Sequence, residues 1–392
     1  MSALNIEKIN CLIRKGKKIS EIAKEYKVTR QAVYAHLSKA KKDKKKKMRK
    51  QKSSIQKRDY NALIDWKIYN KGLVKRGEIL LDFDIFKGWE EELYQLNKNK
   101  VGAPFQYPDG FILFLLRLKV IFQIDYRRLQ GVENGIIKLM PHVKKAADYS
   151  TIQRRLKRLK IKLEVYQEKQ EEEEIAGDAS GLKSTNRGEY RMNKYRGGVK
   201  KRYVKLHISV NIKTRQIVAS IVTGDDVSDN RKLKELIEEA EKSGKVIKAL
   251  FDKGYESKEN YWYLKERGIK AVIKPRETLR GERITEEIAK LKRGMLRSRK
   301  CERNIEIEKR LIRLEEMERN QREEDRWREE CGYGYRWGCE GRYSAFKRIF
   351  GEEVFSKGME NIRNEVQIKV NLLNQFRSIL IKANKSKRIE GG

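Results

Sequence analysis

The chain contains 392 residues, and its 93 Lys and Arg residues outnumber its 56 Asp and Glu residues to give a net charge of +37. This length is enough for two or three domains. So large an excess of positive charge favours a polyanionic partner, above all nucleic acid. No run of 18 apolar residues is present, so we expect no membrane partner. Four cysteines without a Cys-x-x-Cys pair and three scattered histidines argue against a structural zinc site.

Residues 1–40 have the pattern of a small helical DNA-binding unit. Apolar residues recur at helical spacing through Ile19–Val28 and again through Thr29–Leu37, which predicts two short helices joined by a tight turn. The pattern is similar to a helix-turn-helix, whose second helix lies in the major groove of DNA. The residues facing the bases would then be Arg30, Gln31 and Tyr34. The alternative is a helical hairpin that serves only for packing.

Two segments of different composition follow this unit. Residues 41–58 are strongly basic and are predicted to form a linker that is either solvated or follows DNA phosphates. Residues 59–165 have mostly helical periodicity, with a long apolar helix predicted over 109–123. We interpret them as a helical domain.

Residues 166–382 combine strand and helix patterns in the order strand, strand, strand, helix, strand, helix, strand. Residues 203–212 alternate between apolar and polar side chains and are followed by a turn and by 217–222, as in a β-hairpin. The later strands, 246–251 and 269–273, each follow a helix, as in parallel crossovers. The pattern therefore predicts an α/β domain with a mixed sheet flanked by helices.

A charged insertion interrupts this domain near its end. Residues 277–332 are dense in charge and predict one or two long helices. A further helix is predicted over 335–350, and two helical stretches over 352–382. Residues 383–392 are interpreted as a basic tail.

Three acidic residues stand in settings that favour metal-dependent chemistry. Asp178 ends the first predicted strand, Asp252 directly follows the strand 246–251, and Glu340 lies on the helix 335–350. These three positions can converge at one edge of a mixed sheet. Mg²⁺ prefers oxygen ligands such as carboxylates, and two such ions about 4 Å apart can align an attack on phosphorus.

A spaced row of residues surrounds Glu340. Tyr333 lies seven residues before it and Arg336 four before it, whereas Lys347 lies seven after it. Within one helix these four residues would share a face, pairing a metal ligand with cations that bind phosphate. The alternative is a solvated face of salt bridges. The neighbouring Trp337 is interpreted as a core anchor rather than a wedge between bases.

This row, Tyr333-x₂-Arg336-x₃-Glu340-x₆-Lys347, resembles the Y-R-E-K signature of insertion-sequence DDE transposases. The segments around both aspartates are similar to those that carry that family's first and second catalytic aspartates. The resemblance covers residues 60–380. It implies that Tyr333, Arg336 and Lys347 contact DNA phosphates.

The resemblance also implies a fold, a reaction and partners. The catalytic domain would be ribonuclease-H-like, with Asp178, Asp252 and Glu340 holding Mg²⁺ or Mn²⁺, two ions per active site. The enzyme would cut the ends of its element and join the freed 3′-hydroxyl to target DNA. Its partners would be double-stranded DNA, as terminal inverted repeats and as target, and a second copy of the chain, because two ends must be held together. The location implied is the prokaryotic cytoplasm, in association with the nucleoid.

Two other functions remain open at this point. A DNA-binding regulator could combine a helix-turn-helix with a catalytically inactive ribonuclease-H-like domain, although such a protein need not retain all three acids. A serine recombinase would need an activated serine in a small catalytic domain, and the sequence contains no segment of that kind.

Overall fold

The computed structural model divides the chain into two compact units, Met1–Lys71 and Gly72–Gly392. The structure describes residues 17, 19–26, 28–33, 66–81, 84, 87–139, 145–167, 171–184, 203–276, 282–297, 301–322 and 324–390. Within these residues, every helix is too short or too polar to cross a membrane.

The first unit contains a helix, a turn and the start of a second helix. Helix α1 spans Ile19–Glu25, and helical backbone begins again at Arg30. The Thr29 hydroxyl accepts a hydrogen bond from the Ala32 amide at 3.2 Å, which satisfies one of the free amides of a helix start. Thr29 therefore caps the start of the second helix.

The predicted recognition residues are only partly covered by the description of this unit. Arg30 and Gln31 are exposed at the start of the second helix. Tyr34 lies outside the described residues, as do the linker residues 41–58. A small cluster of buried apolar side chains holds the turn together, namely Ile22, Ala23 and Val33.

The segment before the sheet is helical. Its α-helices are α2 (Trp66–Glu78), α3 (Trp89–Asn97), α4 (Asp109–Phe122), α5 (Tyr126–Ile137) and α6 (Tyr149–Arg158). The long apolar helix predicted over 109–123 is confirmed as α4. It ends at Gln123, whose left-handed φ of 51° lets its amide donate to the Lys119 carbonyl.

A five-stranded mixed sheet forms the centre of the second unit. The strands are β1 (Glu172–Lys183), β2 (Tyr203–Asn211), β3 (Ile217–Gly224), β4 (Lys245–Phe251) and β5 (Lys270–Ile273). They lie in the order β3-β2-β1-β4-β5. The β1–β2 and β2–β3 pairs are antiparallel, and the β1–β4 and β4–β5 pairs are parallel. The predicted order of strands and helices is confirmed.

Helices cover both faces of this sheet. Helix α7 (Leu233–Ala240) connects β3 to β4, and helix α8 (Lys258–Glu266) connects β4 to β5. Both pack in one apolar core with side chains such as Ile175 and Val246. The opposite core joins α4, α6 and the last two helices to side chains such as Leu206 and Leu250. The predicted ribonuclease-H-like architecture, a mixed sheet flanked by helices, is confirmed.

The charged insertion is helical, as predicted. It contains α9 (Glu282–Arg297), α10 (Cys301–Arg322) and α11 (Glu324–Cys331). A 3₁₀ turn, Tyr333–Arg336, then leads into α12 (Trp337–Phe350).

The end of the chain differs from its prediction. One helix, α13 (Met359–Glu390), replaces the two helical stretches predicted over 352–382. It also includes most of the residues 383–392 that the sequence assigns to a basic tail. The sequence contains no Pro or Gly between Met359 and Glu390 that would stop a helix.

Candidate active site

The register of two parallel strands places Asp178 and Asp252 at the same level of the sheet. The last paired residues of β1 and β4 are Gly177 and Phe251. Asp178 directly follows Gly177, and Asp252 directly follows Phe251. However, β1 continues past this point to Lys183 and stays paired with β2. The prediction that the first strand ends at Asp178 is therefore wrong.

Gly177 is required by the close approach of the Phe251 ring. A Cβ atom built on Gly177 would lie 2.0 Å from that ring. This distance is far below van der Waals contact, so any larger residue would force the ring to move. The glycine thus lets Phe251 pack over β1 directly beside Asp178 and Asp252.

The Asp178 carboxylate is partly buried and lies near several charges. One oxygen accepts a hydrogen bond from the Ala179 amide at 2.9 Å, and the other accepts one from Arg336 at 3.0 Å. Burial raises the pKa of Asp178, while the Ala179 amide and the Arg336 guanidinium oppose that rise. The charges of Asp252 and Glu340 raise the pKa further. The three predicted acids therefore share one electrostatic environment.

A change of helix type positions the residues that precede Glu340. Gly332 has a left-handed φ of 65°, after which Tyr333–Arg336 form a 3₁₀ turn. Only from Trp337 onward is the backbone α-helical. The single helix assumed for the whole row is therefore wrong. Tyr333 and Arg336 nevertheless stay on one face, because side chains three residues apart eclipse in a 3₁₀ turn.

Arg336 joins two of the acids. Its Nη1 donates to Asp178 Oδ2 at 3.0 Å, and its Nη2 donates to Glu340 Oε1 at 2.5 Å. The Arg336 side chain is 18% exposed, whereas that of Glu340 is 58% exposed. One guanidinium thus bridges a strand carboxylate and a helix carboxylate.

Tyr333 connects the remaining acid, Asp252, to Arg336. Its hydroxyl donates a long hydrogen bond of 3.4 Å to Asp252, and its ring packs at a tilt against the buried Trp327, with 5.3 Å between the ring centres. The Arg336 guanidinium lies 5.9 Å from the Tyr333 ring centre. Burial raises the pKa of Tyr333, so its hydroxyl stays protonated and can act as a donor.

Lys347 is the member of the predicted row that lies apart from the others. It is on α12 with Glu340, but its ammonium group lies 3.5 Å from Glu352. Glu352 also lies 3.8 Å from Lys183, at the end of β1. The structure thus brings together Asp178, Asp252, Tyr333, Arg336 and Glu340, and it places Lys347 beside a different carboxylate.

The donor set suits a hard divalent cation in its chemistry. Among the described residues, no group of three or more His, Cys, Asp or Glu side chains is arranged to hold a metal ion. Arg336 instead bridges Asp178 and Glu340. The carboxylates of Asp178, Asp252 and Glu340, the last two of which raise the pKa of Asp178, are nevertheless the oxygen donors that Mg²⁺ and Mn²⁺ select.

A layer of buried polar side chains supports the acids, and sequence reasoning missed it. His207 lies between the Tyr255 hydroxyl, at 3.1 Å, and the Thr223 hydroxyl, at 3.0 Å. Tyr255 is three residues after Asp252, so this network fixes the turn that carries that acid. Burial lowers the pKa of His207 to about 4, which keeps the ring neutral. A lone histidine in a strand gives no sequence signal for this role.

A second buried contact supports Asp178 from the opposite face. The Tyr343 hydroxyl, on α12, lies 2.8 Å from the Asp178 carbonyl and 2.6 Å from the Leu206 carbonyl. The Cys339 thiol donates to the Ala176 carbonyl at 3.0 Å. These contacts fix α12, and with it Glu340, against β1.

Two aromatic side chains beside the acids are exposed. Trp337 is 59% exposed and Tyr335 is 53% exposed. The prediction that Trp337 anchors the core is therefore wrong. The Arg215 guanidinium stacks over the Trp337 ring at 4.4 Å. Both aromatic residues line a cavity of about 600 Å³, together with Tyr333, Arg336 and Glu340.

Comparison with known protein families gives two matches. A family model described as "Transposase DDE domain" matches residues 169–374. A second model with the same description matches residues 74–187. No solved structure matches the chain.

Proposed function

Because the chain belongs to the DDE transposase family, we propose that it cuts the ends of its own insertion sequence and joins the freed 3′-hydroxyl to target DNA. The observation that carries this proposal is the convergence of Asp178, Asp252 and Glu340. The β1–β4 register places Asp178 and Asp252 side by side, and Arg336 connects Glu340 to Asp178.

We assign the metal-binding role to these three carboxylates. Asp178, Asp252 and Glu340 would hold Mg²⁺ or Mn²⁺, two ions per active site. When bound, the ions would supply the activation of a nucleophilic oxygen and the stabilisation of the leaving oxygen in an in-line displacement at phosphorus. The partial burial of Asp178 suits this role, since a less hydrated carboxylate interacts more strongly with a cation.

The other residues of the site would hold the DNA. Arg336 has the planar fork that binds phosphate oxygens in pairs, and the Tyr333 hydroxyl is a protonated donor beside Asp252. Lys347, on α12, would bind a phosphate farther along the DNA strand. The exposed rings of Tyr335 and Trp337 offer surfaces on which unpaired bases can stack.

The reaction needs no covalent link between protein and DNA. Water would attack the phosphodiester at the element end, and the departing 3′-oxygen would leave as a hydroxyl. That hydroxyl would then attack a phosphodiester of target DNA, forming one bond as the other breaks. Ser180 lies two residues after Asp178, but within the described chain no histidine contacts it that could activate it as a nucleophile.

We also propose how the chain recognises its substrate. Residues 1–40 would act as a helix-turn-helix unit that reads the terminal repeats, with the exposed Arg30 and Gln31 facing the bases and Tyr34 on the same helix. Residues 41–58 would be a basic linker and 59–165 a helical domain. Two element ends must be held together, so we expect a homodimer on DNA, working on the nucleoid of a prokaryotic cell.

A cleavage assay tests the proposed function. Labelled duplexes from the DNA that flanks the coding sequence are incubated with wild type and Asp252→Ala, with Mg²⁺ and with EDTA. We expect nicks at one boundary that need Mg²⁺ and that Asp252→Ala abolishes while DNA binding persists. Equal, salt-sensitive binding by both proteins with no nick in Mg²⁺ or Mn²⁺ would instead identify a DNA-binding regulator.

A further inference from the structure

A second candidate site lies on the insertion, and it is positively charged. Its residues are not part of the acid cluster. It is a cavity of about 970 Å³ between α8, α9 and α10. Six basic and two acidic side chains line it, a net charge of +4. The basic residues are Lys258, Arg283, Lys290, Arg293, Arg310 and Arg313. We call it the insertion cavity.

The packing of the insertion fixes the position of these charges. On α9, Arg283, Lys290 and Arg293 are spaced by seven and three residues and therefore share one face. An apolar row beside them packs α9 against α10, with Ile284, Ile288, Ile307, Leu311 and Leu314 buried. The basic row is thus held at the edge of a packed seam rather than on an isolated helix.

The basic residues of the insertion cavity differ in how they are neutralised. Arg313 is bound to the buried Glu256, and Lys258 is bound to Glu306. Within the described part of the chain, Arg283 and Arg293 form no ion pair. These two arginines are exposed, so their charges are available to a ligand.

The chemistry of the wall selects phosphate. Its apolar contribution comes from Leu291 and Leu314, whereas pockets for small apolar ligands are mostly hydrophobic. Guanidinium groups bind phosphate oxygens in pairs. Arg283 and Arg293 are ten residues apart, about 15 Å along the helix axis. A single free phosphate cannot reach both, but successive phosphates of a nucleic acid strand can.

We propose that the insertion cavity binds backbone phosphates of duplex DNA and gives the chain a DNA contact separate from the acid cluster. This inference rests on the proposed function, since that function makes DNA the polyanion that the chain handles. The contact carries no base sequence information, because phosphates are the same at every step. It would add affinity and fix the path of the duplex across α9.

The test compares two double variants with equal loss of charge. Arg283→Ala/Arg293→Ala removes the two unpaired arginines of the cavity. Lys245→Ala/Arg303→Ala removes two exposed charges that lie outside the cavity and form no ion pair within the described residues. Binding of a fluorescein-labelled duplex of 30 base pairs is measured by anisotropy in EDTA over a range of salt concentrations. Arg313 is left unchanged, because its removal would strand the buried Glu256.

The expected result is a change in salt dependence that is specific to the cavity. Each phosphate contact contributes about one to the slope of log K against log salt. The cavity variant should therefore lose about two from that slope, with roughly tenfold weaker binding at moderate salt. The control variant should keep the wild-type slope. Arg283→Lys/Arg293→Lys should also keep it, which separates charge from any effect on folding.

Other results would overturn the proposal in distinguishable ways. Equal loss of slope in both double variants would mean that only net charge matters, and no loss in the cavity variant would remove the contact. Thermal stabilisation by inorganic pyrophosphate that depends on Arg283 and Arg293, with an unchanged DNA slope, would identify a free anion as the ligand. If wild type bound RNA duplex but not DNA, or neither, the proposed function would fall together with this inference.

Discussion

Arg336 donates a hydrogen bond of 3.0 Å from Nη1 to Oδ2 of Asp178. The guanidinium thereby neutralises part of the charge on the carboxylate that is expected to hold a divalent ion. Its Nη2 donates a second hydrogen bond of 2.5 Å to Oε1 of Glu340. In this arrangement a bound metal ion would compete with Arg336 for the same two acids.

Replacement of Arg336 should therefore strengthen metal binding while it weakens cutting. Arg336→Gln removes the competing charge, so we expect Mn²⁺ to bind roughly threefold to tenfold more tightly. Isothermal titration of Mn²⁺ without DNA measures this affinity. DNA cutting should fall in the same variant, because the side chain that we propose to bind phosphate is lost.

Lys347→Gln is the matched control for that measurement. It removes one positive charge from α12, the helix that follows Arg336, but Lys347 lies beside Glu352 rather than beside the three acids. We expect its Mn²⁺ affinity to equal that of wild type. An equal increase in both variants would show that net charge, and not the Arg336 bridge, limits metal binding.

The packing of the Phe251 ring over Gly177 gives a prediction about stability. Gly177→Ala puts a Cβ 2.0 Å from the Phe251 ring, so we expect the free energy of unfolding to fall by about 3 kcal/mol. Urea denaturation measures this change. Gly181→Ala is the control on the same strand, since its Cβ would meet Tyr203 at an ordinary 3.9 Å. A loss of the same size at Gly181 would contradict the steric explanation.

The sequence predicted the parts of this site that depend on strand order. Asp178 and Asp252 each follow a buried apolar run, and the alternation of strands and helices places such runs side by side in a mixed sheet. The row from Tyr333 to Lys347 was assigned from its resemblance to the Y-R-E-K signature, because its spacing alone also fits a solvated face of salt bridges. The acids therefore came from local sequence patterns together with topology.

The remaining features depend on contacts between distant parts of the chain. The 3₁₀ turn from Tyr333 to Arg336 begins after the left-handed Gly332, and a four- and seven-residue spacing does not reveal it. The role of His207 depends on Tyr255, which is 48 residues away. The bridge between Asp178 and Glu340 depends on the side-chain direction of Arg336, and that direction is set only when α12 packs on β1.

The buried His207 gives a prediction about pH. Its pKa falls from an ordinary 6.5 to about 4 in the folded chain, so the unfolded state binds more protons between these values. Stability contributed by the neutral ring is therefore complete above pH 6.5 and is lost as the pH falls towards 4. The loss amounts to about 3 kcal/mol at pH 4.

His207→Gln isolates this contribution. Glu133 titrates in the same range with the opposite sign, because burial raises its pKa to about 7, so the wild-type curve alone mixes both effects. We expect the difference in unfolding free energy between wild type and His207→Gln to shrink steadily from pH 7 to pH 4. A difference that stays constant over this range would mean that His207 does not titrate below its ordinary pKa.

Truncation of two tryptophans near the site should change stability by very different amounts, since Trp337 is 59% exposed and Trp327 is 1% exposed. Trp327→Ala empties a buried position and removes the ring against which Tyr333 packs, so the free energy of unfolding should fall by about 3 to 5 kcal/mol. Trp337→Ala should change the free energy of unfolding by less than about 1 kcal/mol.

If Trp337 stacks on an unpaired base, its removal should weaken binding of a duplex with a frayed end by roughly tenfold. A fully paired duplex of the same length is the comparison, and equal weakening for both duplexes would show that the ring contacts the backbone instead.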